Sequence, residues 1–281
     1  MQYKVIGLMS GSSLDGLDIV YVHFEEISGK WNFEIRETAC IPYSNELREK
    51  LAGATSLSGR DYLLLHTEFG HFLGTSVNEF IEEKGLAYQV QLIASHGHTS
   101  FHIPEKRMTA QLGDGAAIAA VTGIHTITDF RSCDIALGGQ GAPVVPIGEK
   151  LLFPEYDLFL NIGGIANISI PRPEAIGFDI CPANRVLNVL AANTEKGYDE
   201  DGRLASIGSV RLPLLHDLNQ FAYYRQSYPK SLSNDFGLKE ILPLIENAKL
   251  PSQDALRTYI EHIVIQISAS VDLVLKNSLE G

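Results

Sequence analysis

The chain has 281 residues, of which 45% are hydrophobic, and 34 acidic against 22 basic residues give it a formal net charge of -12. Such a length supports a large core divided between two lobes, because a single core rarely grows beyond about 250–300 residues. The acidic balance argues against nucleic acid and anionic membranes as partners, since phosphate groups are bound chiefly by clusters of Lys and Arg.

The cysteines and the N-terminus both favour a cytoplasmic protein. The three cysteines are far apart and show no C-x-x-C spacing, which argues against a disulfide framework and against a zinc site: Cys40, Cys133 and Cys181. The apolar stretch before Ser10 is too short for a signal peptide. We also expect no apolar run that approaches the roughly 20 residues of a membrane span.

Hydrophobic periodicity predicts a β-β-β-α-β-α-β order for the first half of the chain. Short apolar or alternating runs predict strands at residues 5–8, 19–24, 31–40, 90–94 and 124–128. Apolar residues that recur near every 3.6 positions predict helices at 45–51, 61–84 and 114–122. This alternation of strands and helices indicates an α/β fold.

The second half begins in the same way. Strands are predicted at 158–162, 166–170 and 175–178, followed by helices at 186–192 and from 252 to 275. The shared order predicts duplicated lobes at 1–135 and 136–281, with an inserted segment at about 193–250. On this interpretation the second lobe lacks the strand that should follow its last helix, so we expect it to be incomplete at the C-terminus.

Two glycine-rich loops follow apolar strands, and their residues are candidates for cofactor binding: Gly11, Ser12, Ser13, Leu14, Asp15, Gly16, Leu17 and Asp18 in the first, and Asn161, Gly163 and Gly164 in the second. Glycines let backbone N–H groups face phosphate oxygens, while carboxylates attract the accompanying metal ion. Each loop alone is also explained as a turn between strands. Together they predict two half-sites on one phosphorylated ligand, as in an actin-like (ribonuclease H-like) ATPase or sugar kinase with a central cleft.

Seven segments in chain order extend this pattern across most of the sequence: GLMSGSSLDGLD (7–18), SHGHT (95–99), QLGDGAAIA (111–119), DFR (129–131), GGQGAPVVP (138–146), NIGGIAN (161–167) and GFD (177–179). They resemble the anhydro-N-acetylmuramic acid kinase family of the acetate and sugar kinase, heat-shock chaperone and actin superfamily. The resemblance implies ATP and Mg²⁺ as cofactors, although no residue is assigned to the metal. After GFD the sequence departs from the family pattern, because Ile180-Cys181-Pro182-Ala183-Asn184 replaces the usual Thr-Gly-Pro-Gly-Asn.

By this resemblance Asp179 is the catalytic base. Its carboxylate would deprotonate a water that attacks the anomeric carbon of a 1,6-anhydro sugar, and the released O6 would take the γ-phosphoryl group of ATP. The products would be N-acetylmuramic acid 6-phosphate and ADP, in peptidoglycan recycling. Without the family, an aspartate between a strand and a helix is explained as an N-cap.

The resemblance also implies a set of sugar contacts: Ser95, His96, His98, Thr99, Asp129, Arg131 and Gln140. Arg131 would pair with the lactyl carboxylate, because a guanidinium suits bidentate carboxylate recognition; a salt bridge is the alternative. His96 and His98 are expected on a loop, in hydrogen-bonding roles rather than as zinc ligands. A loop around Lys230 resembles a family segment near the sugar.

Three alternatives remain open from the sequence. The chain could act on another sugar on the same fold, because fold does not determine substrate. It could also be a non-catalytic nucleotide- or sugar-binding module, since the residues after Asp179 are altered and a further glycine-rich loop is not found. For Tyr223, Tyr224 and Tyr228, core packing is favoured over a substrate lid. A homodimer is compatible with each alternative.

Overall fold

The computed structural model describes residues 1–11, 14–139, 141, 144–171, 175–192, 194, 197–233 and 235–279, with side chains described as far as 276. The chain forms two compact units, Met1–Pro154 and Glu155–Gly281. Each unit has its own β-sheet and its own helices, so the predicted α/β class is confirmed. The predicted lobe boundary between residues 135 and 136 stays a prediction.

The first unit is built on one mixed sheet. Its strands are β1 (Gln2–Ser10), β2 (Gly16–Ile27), β3 (Lys30–Pro42), β4 (Leu92–Ile103), β5 (Met108–Leu112) and β6 (Thr126–Ile127). The order is β3-β2-β1-β4-β5, with β6 paired to β4. β1 to β3 form an antiparallel meander, whereas β4 runs parallel to β1 and β6. The predicted strands are all present, and β5 is an additional one.

The helices of the first unit are α1 (Asn45–Ala52), α2 (Gly59–Glu83), α3 (Gly115–Thr122), α4 (Ser132–Ala136) and α5 (Val145–Leu152). The first three match the predicted helices, and each begins at a polar cap: Ser44, Ser58 and Asp114 accept a hydrogen bond from a backbone N–H of the first turn. One face of α2 lies in the core with the inward side chains of the sheet. α4 and α5 were not predicted from the sequence.

The second unit has a smaller sheet of β7 (Phe159–Ile162), β8 (Ile165–Ile170) and β9 (Ile176–Pro182), all antiparallel. Its helices are α6 (Asn184–Leu190), α7 (Arg203–Ser206), α8 (Leu212–Leu218), α9 (Leu242–Asn247) and α10 (Ser252–Leu279). The predicted strands and both predicted helices are present. The predicted insertion contains α7 to α9, and helices α8 and α9 contribute buried side chains to the core of this unit.

The length and composition of α10 would allow it to cross a membrane, which differs from the sequence expectation. Its apolar residues are separated by uncharged polar ones such as Gln266 and Ser270, so no uninterrupted apolar run marks it. In the second unit, however, Leu256, Tyr259 and Ile263 of this helix are buried. Such burial is the property of a core helix, and core helices meet the same criteria of length and composition.

Candidate active site

The first glycine-rich loop is the turn of the β1–β2 hairpin, and it is shorter than predicted. Gly16, Leu17 and Asp18 belong to β2, where they pair with Pro42, Ile41 and Cys40 of β3. A Cβ on Gly16 would lie 2.6 Å from the Ile41 carbonyl oxygen, so this glycine permits the strands to approach. The side chain of Leu17 is fully buried. The turn therefore spans residues 11–15, of which Ser12 and Ser13 lie outside the described residues.

The part of this turn that is described is held by hydrogen bonds of both backbone and side-chain groups. Leu14 has a left-handed conformation with φ 57°, and its N–H donates to the Gly11 carbonyl at 3.3 Å. The Gly16 N–H donates to Asp15 Oδ1 at 3.1 Å, and Arg48 Nε donates to the Leu14 carbonyl at 3.1 Å. The described residues of the turn thus have defined partners, and the side chains of Asp15 in the turn and of Asp18 in β2 are both exposed.

A buried polar chain connects the end of β1 to β4. The Tyr43 hydroxyl donates to Ser10 Oγ at 2.7 Å, and Ser10 Oγ lies 3.3 Å from His98 Nδ1. Burial, chiefly, raises the pKa of Tyr43 to about 12, so its hydroxyl remains a donor at neutral pH. His98 is therefore anchored to the strand that precedes the first turn.

The SHGHT segment lies in β4, not on a loop as predicted. β4 is irregular here: Leu8 of β1 pairs with Ser95, and the next paired residue, Ser10, faces His98. Gly97, between the two histidines, has φ +68°, and a Cβ on it would lie 2.3 Å from the Leu112 carbonyl oxygen. Only glycine fits this position without rearrangement, because both the conformation and the space exclude a side chain. The bulge was missed because it depends on how β4 pairs with β1, a strand that is distant in the sequence.

A cavity of about 620 Å³ opens beside β4 within the first unit. Ser95, His96 and Asp129 of the predicted sugar contacts line it, together with residues that the sequence analysis did not assign, among them Tyr62, His66, Gln111, Asp114 and Thr128. Its volume is typical of a small-molecule site. Two buried side-chain atoms there, Ser95 Oγ and Gln111 Oε1, have no hydrogen-bond partner among the described residues. Unsatisfied buried polar atoms are rare, and a ligand or water is the usual explanation.

His96 and Arg131 form a pair at the edge of this cavity. His96 Nδ1 lies 3.0 Å from the Gly97 carbonyl oxygen, which is only an acceptor, so the Nδ1–H form of the ring is assigned. The other nitrogen, Nε2, accepts from Arg131 Nε at 3.0 Å. Burial, and then the charge of Arg131, lowers the pKa of His96. The imidazole is neutral at pH 7, which agrees with a role in hydrogen bonding.

Arg131 and Asp129 also organise the segment that follows β6. Arg131 Nη1 donates to the Gly141 carbonyl at 2.8 Å, and the Gly141 N–H donates to Asp134 Oδ2 at 2.7 Å. Asp129 has φ 59°, an uncommon conformation for this residue type, and accepts a hydrogen bond from Ser132 Oγ. Neighbouring Gln140 lies outside the described residues.

The predicted sugar contacts therefore do not all line the same cavity. Ser95, His96 and Asp129 line the cavity, and Arg131 reaches it through His96. Thr99 lies further along β4, where it pairs with Gln111 of β5. Gln111 and Asp114 belong to the QLGDGAAIA segment, so that segment was the signal from which they could have been assigned.

In the second unit, Asp179 lies in the middle of β9, and it does not cap α6 as the alternative proposed. The N-cap of α6 is Ala183, which has no capping side chain. Asp179 pairs with Asn167 of β8, which in turn pairs with Asn161 of β7. Residues that pair directly across antiparallel strands place their side chains on the same face of the sheet. Asn161, Asn167 and Asp179 therefore form one polar row, and Asn167 is a member that was not assigned.

The second glycine pair forms the turn between β7 and β8. The Gly163 carbonyl accepts from the Asn184 N–H at 3.1 Å, and the Gly164 carbonyl accepts from the Ala183 N–H at 2.8 Å. The N–H of a trans peptide points opposite to its C=O. The Gly164 N–H therefore points away from α6, an orientation in which it can donate to an anion.

A segment between α8 and α9 holds Asp179 from the side opposite β8. The Asp179 N–H donates to the Lys230 carbonyl at 3.2 Å, and the Leu232 N–H donates to Asp179 Oδ2 at 2.8 Å. The Tyr223 hydroxyl donates to the Asp179 carbonyl at 2.6 Å. The loop around Lys230, which the sequence associated with the sugar site, thus lies directly against Asp179.

A glycine turn in each unit and a carboxylate held on the edge strand β9 are parts expected of an α/β sugar kinase. Comparison with known proteins identifies the family. The family model for anhydro-N-acetylmuramic acid kinase matches residues 3–279. The chain belongs to the anhydro-N-acetylmuramic acid kinase family.

Individual relatives carry the same description. The anhydro-N-acetylmuramic acid kinase of Vibrio vulnificus is 36% identical over 282 residues, which are 95% of this chain and 75% of the relative. That of Nitrosomonas europaea is 36% identical, with 95% and 76% covered. Among solved structures, ethanolamine utilization protein EutJ from Carboxydothermus hydrogenoformans aligns with 91% of this chain and 89% of its own, at a TM-score of 0.34 and 13% identity.

Proposed function

We propose that this protein is an ATP-dependent kinase that opens the 1,6-anhydro ring of anhydro-N-acetylmuramic acid and phosphorylates O6. Membership of the family, over residues 3–279, is the observation that carries the proposal. The retained Asp179, bonded on three of its atoms by its own chain, supports it. The products are N-acetylmuramic acid 6-phosphate and ADP, and the expected setting is peptidoglycan recycling in the cytoplasm.

Asp179 is proposed as the general base. Its carboxylate accepts a proton from a water whose oxygen forms a bond to the anomeric carbon, while the bond from that carbon to O6 breaks. O6 then bonds to the γ-phosphorus of ATP, and the bond from that phosphorus to the β-γ bridging oxygen breaks to release ADP. The proton on Asp179 passes to solvent. The Leu232 N–H on Oδ2 restricts rotation of the carboxylate, which favours one orientation of the base.

Each glycine turn is proposed, within its own unit, as a contact for the phosphates of ATP. The Gly164 N–H is directed away from α6, and in the first turn Asp15 Oδ1 accepts a hydrogen bond from the Gly16 N–H. Oxygen ligands such as the carboxylates of Asp15 and Asp18 suit Mg²⁺. When bound, Mg²⁺ would neutralise phosphate charge, which is most of what phosphoryl transfer requires.

The cavity of the first unit is proposed to bind the amino sugar. Ser95 Oγ and Gln111 Oε1 are buried and have no partner in the described part of the chain, so hydroxyl or amide groups of a sugar would satisfy both. The guanidinium of Arg131 would attract the lactyl carboxylate, and its Nε bond to His96 would orient that imidazole toward the sugar. His98, Thr99, Asp129 and Gln140 remain proposed contacts.

A coupled ADP-release assay with ATP, Mg²⁺ and 1,6-anhydro-N-acetylmuramic acid tests the proposal, with mass spectrometry of the sugar. We expect the 6-phosphate from the wild-type chain and a kcat lower by about 10³-fold in Asp179→Asn, which cannot accept the proton. Asp254→Asn is a suitable control, because Asp254 is a buried carboxylate paired with Arg211 in the same unit. A near-normal rate in Asp179→Asn would contradict the assignment of the base.

The same assay tests the other functions. Phosphorylation of a different sugar, with none of this one, would support a kinase of other specificity on the same fold. The altered residues Ile180 to Ala183 favour a second candidate, a non-catalytic sugar- or nucleotide-binding module. Binding of the sugar by calorimetry without any product would support that module.

A further inference from the structure

Tyr223 and Tyr224 are adjacent tyrosines whose hydroxyl groups have different partners. The Tyr223 hydroxyl donates to the Asp179 carbonyl at 2.6 Å. The Tyr224 hydroxyl lies 3.1 Å from Nε2 of His262, a buried side chain of α10. Burial, chiefly, raises the pKa of both tyrosines, so both hydroxyls remain protonated donors at working pH. The pair therefore offers one tyrosine that contacts Asp179 and one that does not.

The Tyr223 hydroxyl contacts the backbone of Asp179 at the strand edge where residues 223–232 pack. In a strand, the N–H and C=O of one residue point to the same edge. For Asp179 this edge faces away from β8, and there the Lys230 carbonyl accepts its N–H and Tyr223 donates to its C=O. Asn167, its partner on β8, adjoins a bulge in the register. Residues 223–232 thus bond the Asp179 backbone on the edge that faces away from β8.

The Tyr223 ring is itself held in place. Lys230 Nζ lies 4.8 Å from the centroid of this ring and 5.8 Å from that of Phe178, within the range of cation–π attraction. Lys230 Nζ also donates to the Tyr223 carbonyl at 3.4 Å. Tyr228 stacks on Phe178 with a centroid distance of 5.2 Å. These contacts restrict the Tyr223 ring and therefore fix the position of its hydroxyl.

We propose that Tyr223 is a positioning residue for Asp179, which sets the direction of the carboxylate through the hydroxyl bond to the Asp179 carbonyl. The inference rests on the proposed function, because it assigns a task to the proposed base. Tyr223 acts on the backbone of Asp179, while the Leu232 N–H acts on its carboxylate. Small displacements of a catalytic group can cost up to about 10²-fold in rate.

The test compares Tyr223→Phe with Tyr224→Phe in the full chain. Each variant loses one oxygen and keeps a buried ring, so circular dichroism and thermal unfolding should show similar small losses of stability. We expect Tyr223→Phe to lower kcat at least tenfold with the KM for 1,6-anhydro-N-acetylmuramic acid within twofold of wild type. Tyr224→Phe should keep both constants within twofold. If Tyr223 had only a structural role, Tyr223→Phe would not lower kcat at an unchanged KM while Tyr224→Phe kept both constants.

Three results would overturn the inference. Equal kcat losses in both variants would indicate a general effect of stability, and an unchanged kcat in Tyr223→Phe would remove the positioning role. A change confined to KM would place Tyr223 in binding. Wild type and Asp179→Asn, assayed together, separate this from the proposed function: if wild type forms no 6-phosphate, or Asp179→Asn retains its rate, the proposed function fails and the positioning role with it.

Discussion

The cavity of the first unit and the Asp179 strand of the second unit differ in how far their polar groups are already bonded. In the cavity, Ser95 Oγ and Gln111 Oε1 are buried and find no hydrogen-bond partner among the residues that the structure describes. Around Asp179, the chain itself bonds the N–H, the C=O and one carboxylate oxygen. Buried groups left unsatisfied cost free energy that a bound ligand can recover, whereas a catalytic group must be oriented before the substrate arrives. The contrast supports the proposal that the first region binds the sugar and the second performs the chemistry.

The largest effect is expected where the backbone shapes the cavity. Gly97 and Gly123 have nearly the same φ, +68° and +69°, but a Cβ would lie 2.3 Å from the Leu112 oxygen only at Gly97, and Gly123 has open space. We expect Gly123→Ala to cost about 1 kcal/mol from backbone strain and Gly97→Ala at least about 3 kcal/mol. Urea unfolding followed by fluorescence of Trp31, a residue of β3, measures both. Equal losses would show that the bulge relaxes.

The next largest effect is expected from pH, which should change the stability of the second unit through His262. His262 is fully buried, its Nδ1 lies 2.8 Å from Asn219 Oδ1, and burial lowers its pKa from 6.5 to about 4. The unfolded chain therefore binds a proton first, and the stability from neutral His262 is present above pH 6.5 and lost as pH falls toward 4. The expected loss between pH 7 and pH 5 is about 2 kcal/mol.

Hydrogen exchange of peptides from α8 and α10, corrected for intrinsic rates, measures this loss. His262→Gln has no titrating ring at this position, so the stability of these peptides should change less between the two pH values. The same pH dependence in wild type and His262→Gln would assign the loss to other groups.

The smallest effect concerns the unsatisfied hydroxyl itself. Ser95→Ala removes a buried hydroxyl that has no partner within the described residues, so the unliganded protein should be unchanged or up to about 1 kcal/mol more stable. Its KM for the sugar should rise by about tenfold. Ser100 of the same strand is the matched control, because its hydroxyl donates to the Ala110 carbonyl and lies 2.6 Å from the Tyr62 hydroxyl. Ser100→Ala should lose about 1 kcal/mol.

Opposite signs for the two serines in thermal unfolding, together with the rise of KM in Ser95→Ala, would sharpen the assignment of the cavity. A loss of stability in Ser95→Ala as large as that in Ser100→Ala would mean that Ser95 is bonded within the protein. The cavity would then lose its main argument for a ligand.

Local patterns in the sequence predicted elements whose side chains face one core. α2 is an example, because Phe69, Leu73 and Val77 recur at helical spacing and are all buried. β5 was missed because its residues are mostly half-buried and show no clear alternation, so pairing with β4 is what stabilises it. The bulge at Gly97 depends on the pairing of β4 with β1, which lies far away in the sequence, and could not be predicted without it.

The residues of the candidate site also fall into two groups, those that a sequence segment indicated and those that only tertiary contacts revealed. Residues in recognisable segments, such as Asp179 and Ser95, were assigned from the sequence. Tyr62, His66 and Tyr223 were not, since their relevance follows from contacts with residues distant in the chain: Tyr223 reaches Asp179 across 44 positions. The role of each assigned residue in substrate binding or catalysis stays a prediction that the experiments above test.

The sequence by itself determined the α/β class, the order of most strands and helices, and the family. These follow from periodicity and from short segments of adjacent residues, which are local properties of a chain. The tertiary structure decided that SHGHT forms a bulged strand, that Asn161, Asn167 and Asp179 share one row, and that Tyr223 bonds to Asp179. Each of these depends on which strands and segments pair, and pairing is decided by the packing of the whole unit.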